Sequence, residues 1–215
     1  EFLHDKPVSL IWGVGQATRS ALAASGIRNF ADLLRWEHEE LIARFGAMGD
    51  RLWHLARGQD HRRVSAHEPV KSISNETTFH EDISDRDILE GHVWRLSEKV
   101  ADRAKAKALA GRVVTLKLKR SDHSLLTRRV SLREPTQMAD TIFRTARDLL
   151  LNVPGKEAFR LLGIGLSQLC SDGQADMSGD LLDPDAAKRT KTERATDAIR
   201  DRFGTDAIVK GRALR

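Results

Sequence analysis

Val113-Val114-Thr115-Leu116-Lys117-Leu118-Lys119 decides how this chain folds. β-Branched and apolar residues open the stretch, and its second half alternates leucine with lysine. Successive strand side chains point to opposite faces, so Leu116 and Leu118 can enter a core while Lys117 and Lys119 present cations on the other side. Downstream, Ser121-Asp122-His123-Ser124 is a hairpin-length turn, and Leu125 to Leu132 reads as the partner strand. Pro135-Thr136 then opens a helix carrying Met138, Ile142, Phe143, Ala146, Leu149 and Leu150, and Phe159 to Leu166 reads as a final strand. Upstream, Asp85 to about Ala110 reads as a long helix, with Ile88, Leu89, Val93, Leu96 and Val100 on one face. Before it, Ser74 to His80 is strand-like, with Thr77, Thr78 and Phe79 as β-formers. The order strand, helix, strand, strand, helix, strand predicts a βαββαβ unit: an antiparallel sheet with two helices on one face.

The rest of the chain has a different texture. Ala17 to Ser25, Phe30 to Arg35, Glu37 to Phe45 and about Gly49 to Ala56 read as short helices. Glycines punctuate them, and Asn29 is a cap candidate for the second. Residues 59–71 are polar and aperiodic and read as a linker. After Ser171 the chain turns acidic and small. A polar helix follows over Ala186 to Phe203, with Asp183 as a cap, Pro184 in its first turn and a thin apolar face. The fold class expected is α+β and multidomain: a small all-α unit over 1–58, a linker over 59–71, the βαββαβ unit over 72–168 and a tail over 169–215. The thin apolar face predicts that the tail helix docks weakly or needs a partner, or else folds back on the core through Ile199 and Phe203.

Composition excludes several classes. No apolar run in the 215 residues approaches the roughly 18 needed for a membrane helix, so no membrane partner is expected. A lone cysteine, Cys170, excludes an internal disulfide, and no Cys/His ligand set has zinc-finger spacing. The net charge of +5 is modest, but its distribution is not. Arg95 to Arg147 holds 14 basic and 5 acidic residues, a net +9, and the remainder sums to −4. A localised basic centre fits a phosphate-binding surface, and it fits a solvated helix face as well. The chain starts at Glu1 with no initiator methionine and no signal-peptide pattern, which leads us to expect a missing N-terminal region and a cytoplasmic protein; a monomer is expected as well.

Ile11-Trp12-Gly13-Val14-Gly15 runs directly into a helix. This is the turn of a helix-hairpin-helix, in which Gly13, Val14 and Gly15 offer backbone amides to a phosphate. The same pattern also serves as an ordinary junction between core helices. A second glycine-rich run, Phe45-Gly46-Ala47-Met48-Gly49-Asp50-Arg51-Leu52-Trp53, continues to Gly58-Gln59-Asp60; Leu52 and Trp53 are assigned to the core. Pro69-Val70-Lys71-Ser72-Ile73-Ser74 starts an edge-like strand rich in small hydroxyl residues. Either it presents hydroxyls and amides to a phosphate backbone or it is a plain strand start. His80, Glu81, Asp82 and Asp85 could be imagined as a metal cluster, but they read as helix-start acids and solvent contacts.

Taken together, these motifs resemble the carboxy-terminal half of a Y-family translesion DNA polymerase of the bacterial DNA polymerase IV type. The resemblance covers residues 2 to 170 strongly and the tail more weakly. It implies that the helical unit is the thumb and the βαββαβ unit the little finger, gripping primer-template DNA between them. It places the catalytic carboxylates and magnesium in a palm that nothing here matches, so this half would hold no catalytic residue, no metal and no cofactor. DNA contacts are then expected from Gly13, Val14, Gly15, Lys71, Ser72, Ser74, Lys117, Lys119, Arg120, Arg128 and Arg129. Family members commonly end in a peptide that docks in a sliding clamp. Gln174 and Met177 fit its first half, with Leu181 and Leu182 as later anchors, although Ser178-Gly179 departs from the pattern. A catalytically inactive relative that recruits DNA and clamp is the alternative, and a stand-alone helix-hairpin-helix repair factor is the third reading.

Overall fold

The computed structural model describes residues 2–63, 68–155, 157–176, 185–209 and 211. The chain divides into two compact units, Glu1–His67 and Glu68–Arg215.

The first unit is helical. Its helices are α1 (Gln16–Ala24), α2 (Phe30–Leu34), α3 (His38–Phe45) and α4 (Ala47–Ala56). Asn29 caps α2 as expected: its side chain accepts from the Asp32 amide at 2.8 Å, and Asp32 accepts from the Asn29 amide at 3.2 Å. Val8, Ile11, Val14, Leu22, Ile27, Phe30, Leu33, Leu41 and Leu52 form its core, with Trp53 packed against it. Gly49 sets the closest approach in this unit. A Cβ there would lie 1.9 Å from the Leu41 carbonyl oxygen, so α3 and α4 touch backbone to backbone where only a glycine fits.

The second unit runs β1 (Ser72–Ile83), α5 (Arg86–Lys105), β2 (Leu109–Arg120), β3 (Leu125–Thr136), α6 (Ala139–Leu151), β4 (Phe159–Ser171) and α7 (Ala186–Phe203). The sheet order is β1-β4-β2-β3, antiparallel at every contact. Two split βαβ units therefore interlock: β4 lies between β1 and β2, and β2 lies between β3 and β4. Val114, Leu116, Leu118, Leu162, Ile164 and Leu166 cover one sheet face against α5 and α6, where Trp94 and Phe143 meet edge to face at 5.1 Å.

Several boundaries differ from the sequence reading, and β1 and β4 run longer than expected, to Ile83 and Ser171. Helix α5 stops at Lys105 rather than near Ala110, and β2 begins at Leu109. Alanine-rich sequence favours helix, but a turn with Ala108 at φ 51° ends it and frees Ala110 for the sheet. Pro135 and Thr136 close β3 instead of opening α6, which starts at Ala139. Pro135 has no amide to donate, and pairing with β2 lapses between Ser131 and Thr136. The Thr136 hydroxyl then accepts from the Met138 amide at 3.0 Å and donates to Asp176 at 2.7 Å.

The tail helix also departs from expectation. Helix α7 docks on its own unit through polar groups. Glu193 is 4% exposed. It accepts from the Ala139 and Asp140 amides at 2.7 and 3.1 Å, capping α6 from a distance in sequence. Lys105 reaches Glu193 at 2.7 Å and Asp197 at 2.6 Å, Arg189 pairs with Asp140 at 2.8 Å, and Arg200 pairs with Glu98 at 3.1 Å. The helix does fold back on its unit, but not through an apolar stripe: Ile199 and Phe203 remain exposed. The suggested cap Asp183 and Pro184 lie outside the described residues.

Candidate nucleic-acid interface

The strand register assigns each residue of the sheet to a face. Four rungs lie on the face away from α5 and α6: Ser72–Ser167–Val113–Ser131, Ser74–Gly165–Thr115–Arg129, Glu76–Gly163–Lys117–Thr127 and Thr78–Leu161–Lys119–Leu125. The alternate rungs carry Leu116 and Leu118 into the core. The result is a strip of hydroxyls and two glycines, with cations on its β2–β3 side. The small residues sit at its centre, while Val113 lies on the first rung and Leu161 and Leu125 on the last.

The cations are not equivalent. Lys117 donates to Glu76 at 2.8 Å across Gly163, where a Cβ would meet the Glu76 Cβ at 3.0 Å. Arg120 is held by Glu157 at 2.6 Å and by the Ser124 hydroxyl at 3.2 Å; the Glu157 hydrogen bond raises its pKa further. Lys119 and Arg129 have no ion-pair partner among the described residues and share the open face. Arg128 stands opposite the buried Leu116, which puts it on the helix-side rung rather than beside Arg129. Lys71 makes only a loose pair with Glu68 at 3.5 Å. Ser72 and Ser74 lie on the open face of the β1 edge, and the Ser74 carbonyl accepts from Arg103 at 2.9 Å.

In the helical unit, the glycine turn is partly self-satisfied. The Val14 amide donates to the Ile11 carbonyl at 3.0 Å, and its side chain is buried. Gly13 adopts φ +98°, a conformation that favours glycine, with the Arg51 guanidinium lying against it. Arg51 also donates to the Trp12 carbonyl at 3.0 Å and sits over the exposed Trp12 ring. Gly15 is the N-cap of α1 and has no side chain to cover the first-turn amides. Gly15 and the start of α1 therefore leave their backbone amides without a side-chain cap.

His80, Glu81 and Asp82 lie along β1, and Asp85 spends its carboxylate capping α5 at the Asp87 and Ile88 amides. These residues do not converge into a magnesium site. Among the described residues one ligand cluster does form, His38, Asp50 and His54. Sequence reasoning missed it because His38 lies on a different helix from the other two. It also missed the small-residue strip of Gly163 and Gly165, whose signal was alternation within β4. Met177, Leu181 and Leu182 lie outside the described residues, and Gln174 closes a short 3-10 turn after β4.

The C-terminal domain of the impB/mucB/samB family matches residues 70–179. This chain belongs to the impB/mucB/samB family. Among its relatives, DNA polymerase IV 1 of Mesorhizobium japonicum is 47% identical over 98% of this chain and 48% of its own length. DNA polymerase IV of Brucella melitensis is 46% identical over 98% of this chain and 47% of its own. DNA polymerase IV of Caulobacter vibrioides is 44% identical over the whole of this chain and 53% of its own. The chain thus spans about half the length of these curated impB/mucB/samB relatives. A solved Y-family DNA polymerase chimera shares the fold, with a TM-score of 0.59 at 20% identity over 79% of this chain and 49% of that one. The polymerase IV resemblance drawn from the motifs is borne out, and so is the mixed fold with its antiparallel sheet.

Proposed function

We propose that this chain is the DNA-gripping half of an error-prone translesion DNA polymerase, holding primer-template duplex by its phosphates without reading sequence. One observation carries the proposal: the open sheet face combines a strip of glycines and hydroxyls with Lys119 and Arg129, cations that no carboxylate among the described residues neutralises. The uncapped start of α1 supplies a second phosphate contact from the helical unit. In this reading the helical unit serves as the thumb and the sheet unit as the little finger. Nucleotidyl transfer and its magnesium belong to the whole protein. No step of that chemistry is assigned to residues of this chain.

The test is fluorescence anisotropy of labelled primer-template duplexes of unrelated sequence, titrated with the chain across a salt series. Affinity should be alike for all duplexes and fall steeply with salt, log K dropping by about 0.9 for each phosphate neutralised. Lys119→Glu and Arg129→Glu should each flatten that slope by about one unit. A slope that ignores both variants places the DNA elsewhere.

The clamp contact is proposed on the sequence pattern of Gln174, Met177, Leu181 and Leu182. An extended segment with a few apolar anchors can dock in a preformed pocket through a small area. Replacing all four by alanine should abolish capture by an immobilised bacterial sliding clamp. Equal capture of both forms rejects the assignment.

A further inference from the structure

We propose that His38, Asp50 and His54 form a binding site for a divalent transition-metal ion of the zinc class, which pins the start of α3 to α4. This inference concerns the helical unit alone and does not depend on the DNA-binding reading. One ligand atom from each residue lies within 4.8 Å of the other two. His38 Nε2 is 2.7 Å from Asp50 Oδ1, and His54 Nε2 is 3.6 Å from the same oxygen. Zinc bonds of about 2.0–2.2 Å in a tetrahedron hold their ligand atoms roughly 3.3–3.6 Å apart. An ion therefore enters by spreading the His38–Asp50 contact and drawing the two imidazoles together. Two imidazoles and one carboxylate suit zinc, cobalt or nickel; magnesium and calcium prefer all-oxygen sets.

Three features make this more than a chance meeting of surface side chains. The scaffold is rigid: Asp50 and His54 stand one turn apart on α4, and the backbone contact at Gly49 fixes α4 against α3, where His38 is the first residue. The orientation is set: His54 Nδ1 lies 3.1 Å from the Gln59 side-chain oxygen, and the Gln59 amide donates to the His54 carbonyl at 2.9 Å. An Nδ1–H donated to that oxygen leaves the lone pair on Nε2, the atom that faces Asp50; metal-bound histidines are typically oriented in this way. The site is also walled and yet open. The Trp53 ring packs at 4.7 Å from His38 and 5.0 Å from His54, while the His61 ring stands 6.0 Å from His54 on the accessible side. Loading replaces the direct His38–Asp50 contact with bonds from both side chains to the ion.

The test titrates the untagged chain with Co2+ as a spectroscopic stand-in for zinc. Visible d–d absorption should grow to one equivalent and be displaced by Zn2+. Zn2+ should also raise the thermal midpoint of the helical unit by several degrees. Gln59→Leu, which leaves the three ligands in place, should weaken binding by about 10–100-fold. The double variant His38→Gln/His54→Gln should lose the absorption. No d–d absorption in the unaltered chain overturns the proposal, whatever the variants do. Equal absorption in a folded double variant overturns it as well.

Discussion

At Gly49 a single methyl group is enough to push a pair of helices apart. The Leu41 carbonyl oxygen stands 1.9 Å from where a Cβ would be, and backbone cannot rotate away as a side chain can. Gly49→Ala should lower the stability of the helical unit by about 1–3 kcal/mol, the usual range for overpacking, measured by thermal or urea unfolding followed by tryptophan fluorescence. The cations of the sheet face allow a second prediction at this scale. Lys117 is tied to Glu76 and Lys119 is not, so Lys119→Glu should reduce duplex affinity more than Lys117→Glu. Glu76→Gln releases Lys117 and should strengthen binding, most visibly at low salt. A Glu76→Gln variant that binds no better would show that Lys117 faces no phosphate. Alternation made the outward direction of Lys117 and Lys119 legible in the sequence. It could not disclose the carboxylate waiting across Gly163, because Glu76 arrives from a strand 41 residues away.

Among the elements, α7 shows how a helix with almost no apolar face can still be held. Glu193 closes the open amides of α6, and Lys105 is clamped between Glu193 and Asp197. Burial alone pushes the Lys105 ammonium toward losing its proton, but attraction to Glu193 and hydrogen bonds to both carboxylates outweigh it and leave the pKa above its ordinary 10.5. A raised lysine pKa contributes stability in full below the unfolded value and loses it as pH rises through the folded one. Docking of α7 should therefore keep its full strength up to pH 10.5 and weaken progressively as pH rises beyond it, as read by limited proteolysis across a pH series. Glu193→Ala removes the cap at any pH. Amide exchange at Ala139 and Asp140 should accelerate sharply, with a stability loss of about 1–3 kcal/mol. The sequence announced this helix with its correct limits, because its composition favours helix. Its docking was illegible, since an ion pair carries no periodicity and its partners sit on other elements.

For the molecule as a whole, the two cores share no buried residue among the described ones: one set lies within Glu1–His67, the other within Glu68–Arg215. Residues 68–215 expressed alone should give a single cooperative unfolding transition with the same midpoint as in the full chain. A midpoint that falls markedly on removal of the helical unit would reject independent folding. The basic window of Arg95 to Arg147 looked at sequence level like one phosphate-binding surface. In the fold much of it is spoken for internally: Lys105 by Glu193 and Asp197, Arg120 by Glu157, Arg144 by Asp140 and Arg147 by Glu90. The βαββαβ order, by contrast, was readable at a distance, because each element buries one face and periodicity reports burial directly.

The capping of α6 by Glu193 also fixes an order of events when the chain is made. The Ala139 amide leaves the ribosome 54 residues ahead of the carboxylate that completes it. At about 5–20 residues per second, that gap lasts roughly 3–10 s. The sheet can assemble once β4 has emerged at Ser171, late in that interval, and until Glu193 arrives α6 keeps a frayed first turn. The nascent domain becomes finished only when its last helix folds back, so a stalled or shortened product would be selectively vulnerable at Ala139 and Asp140.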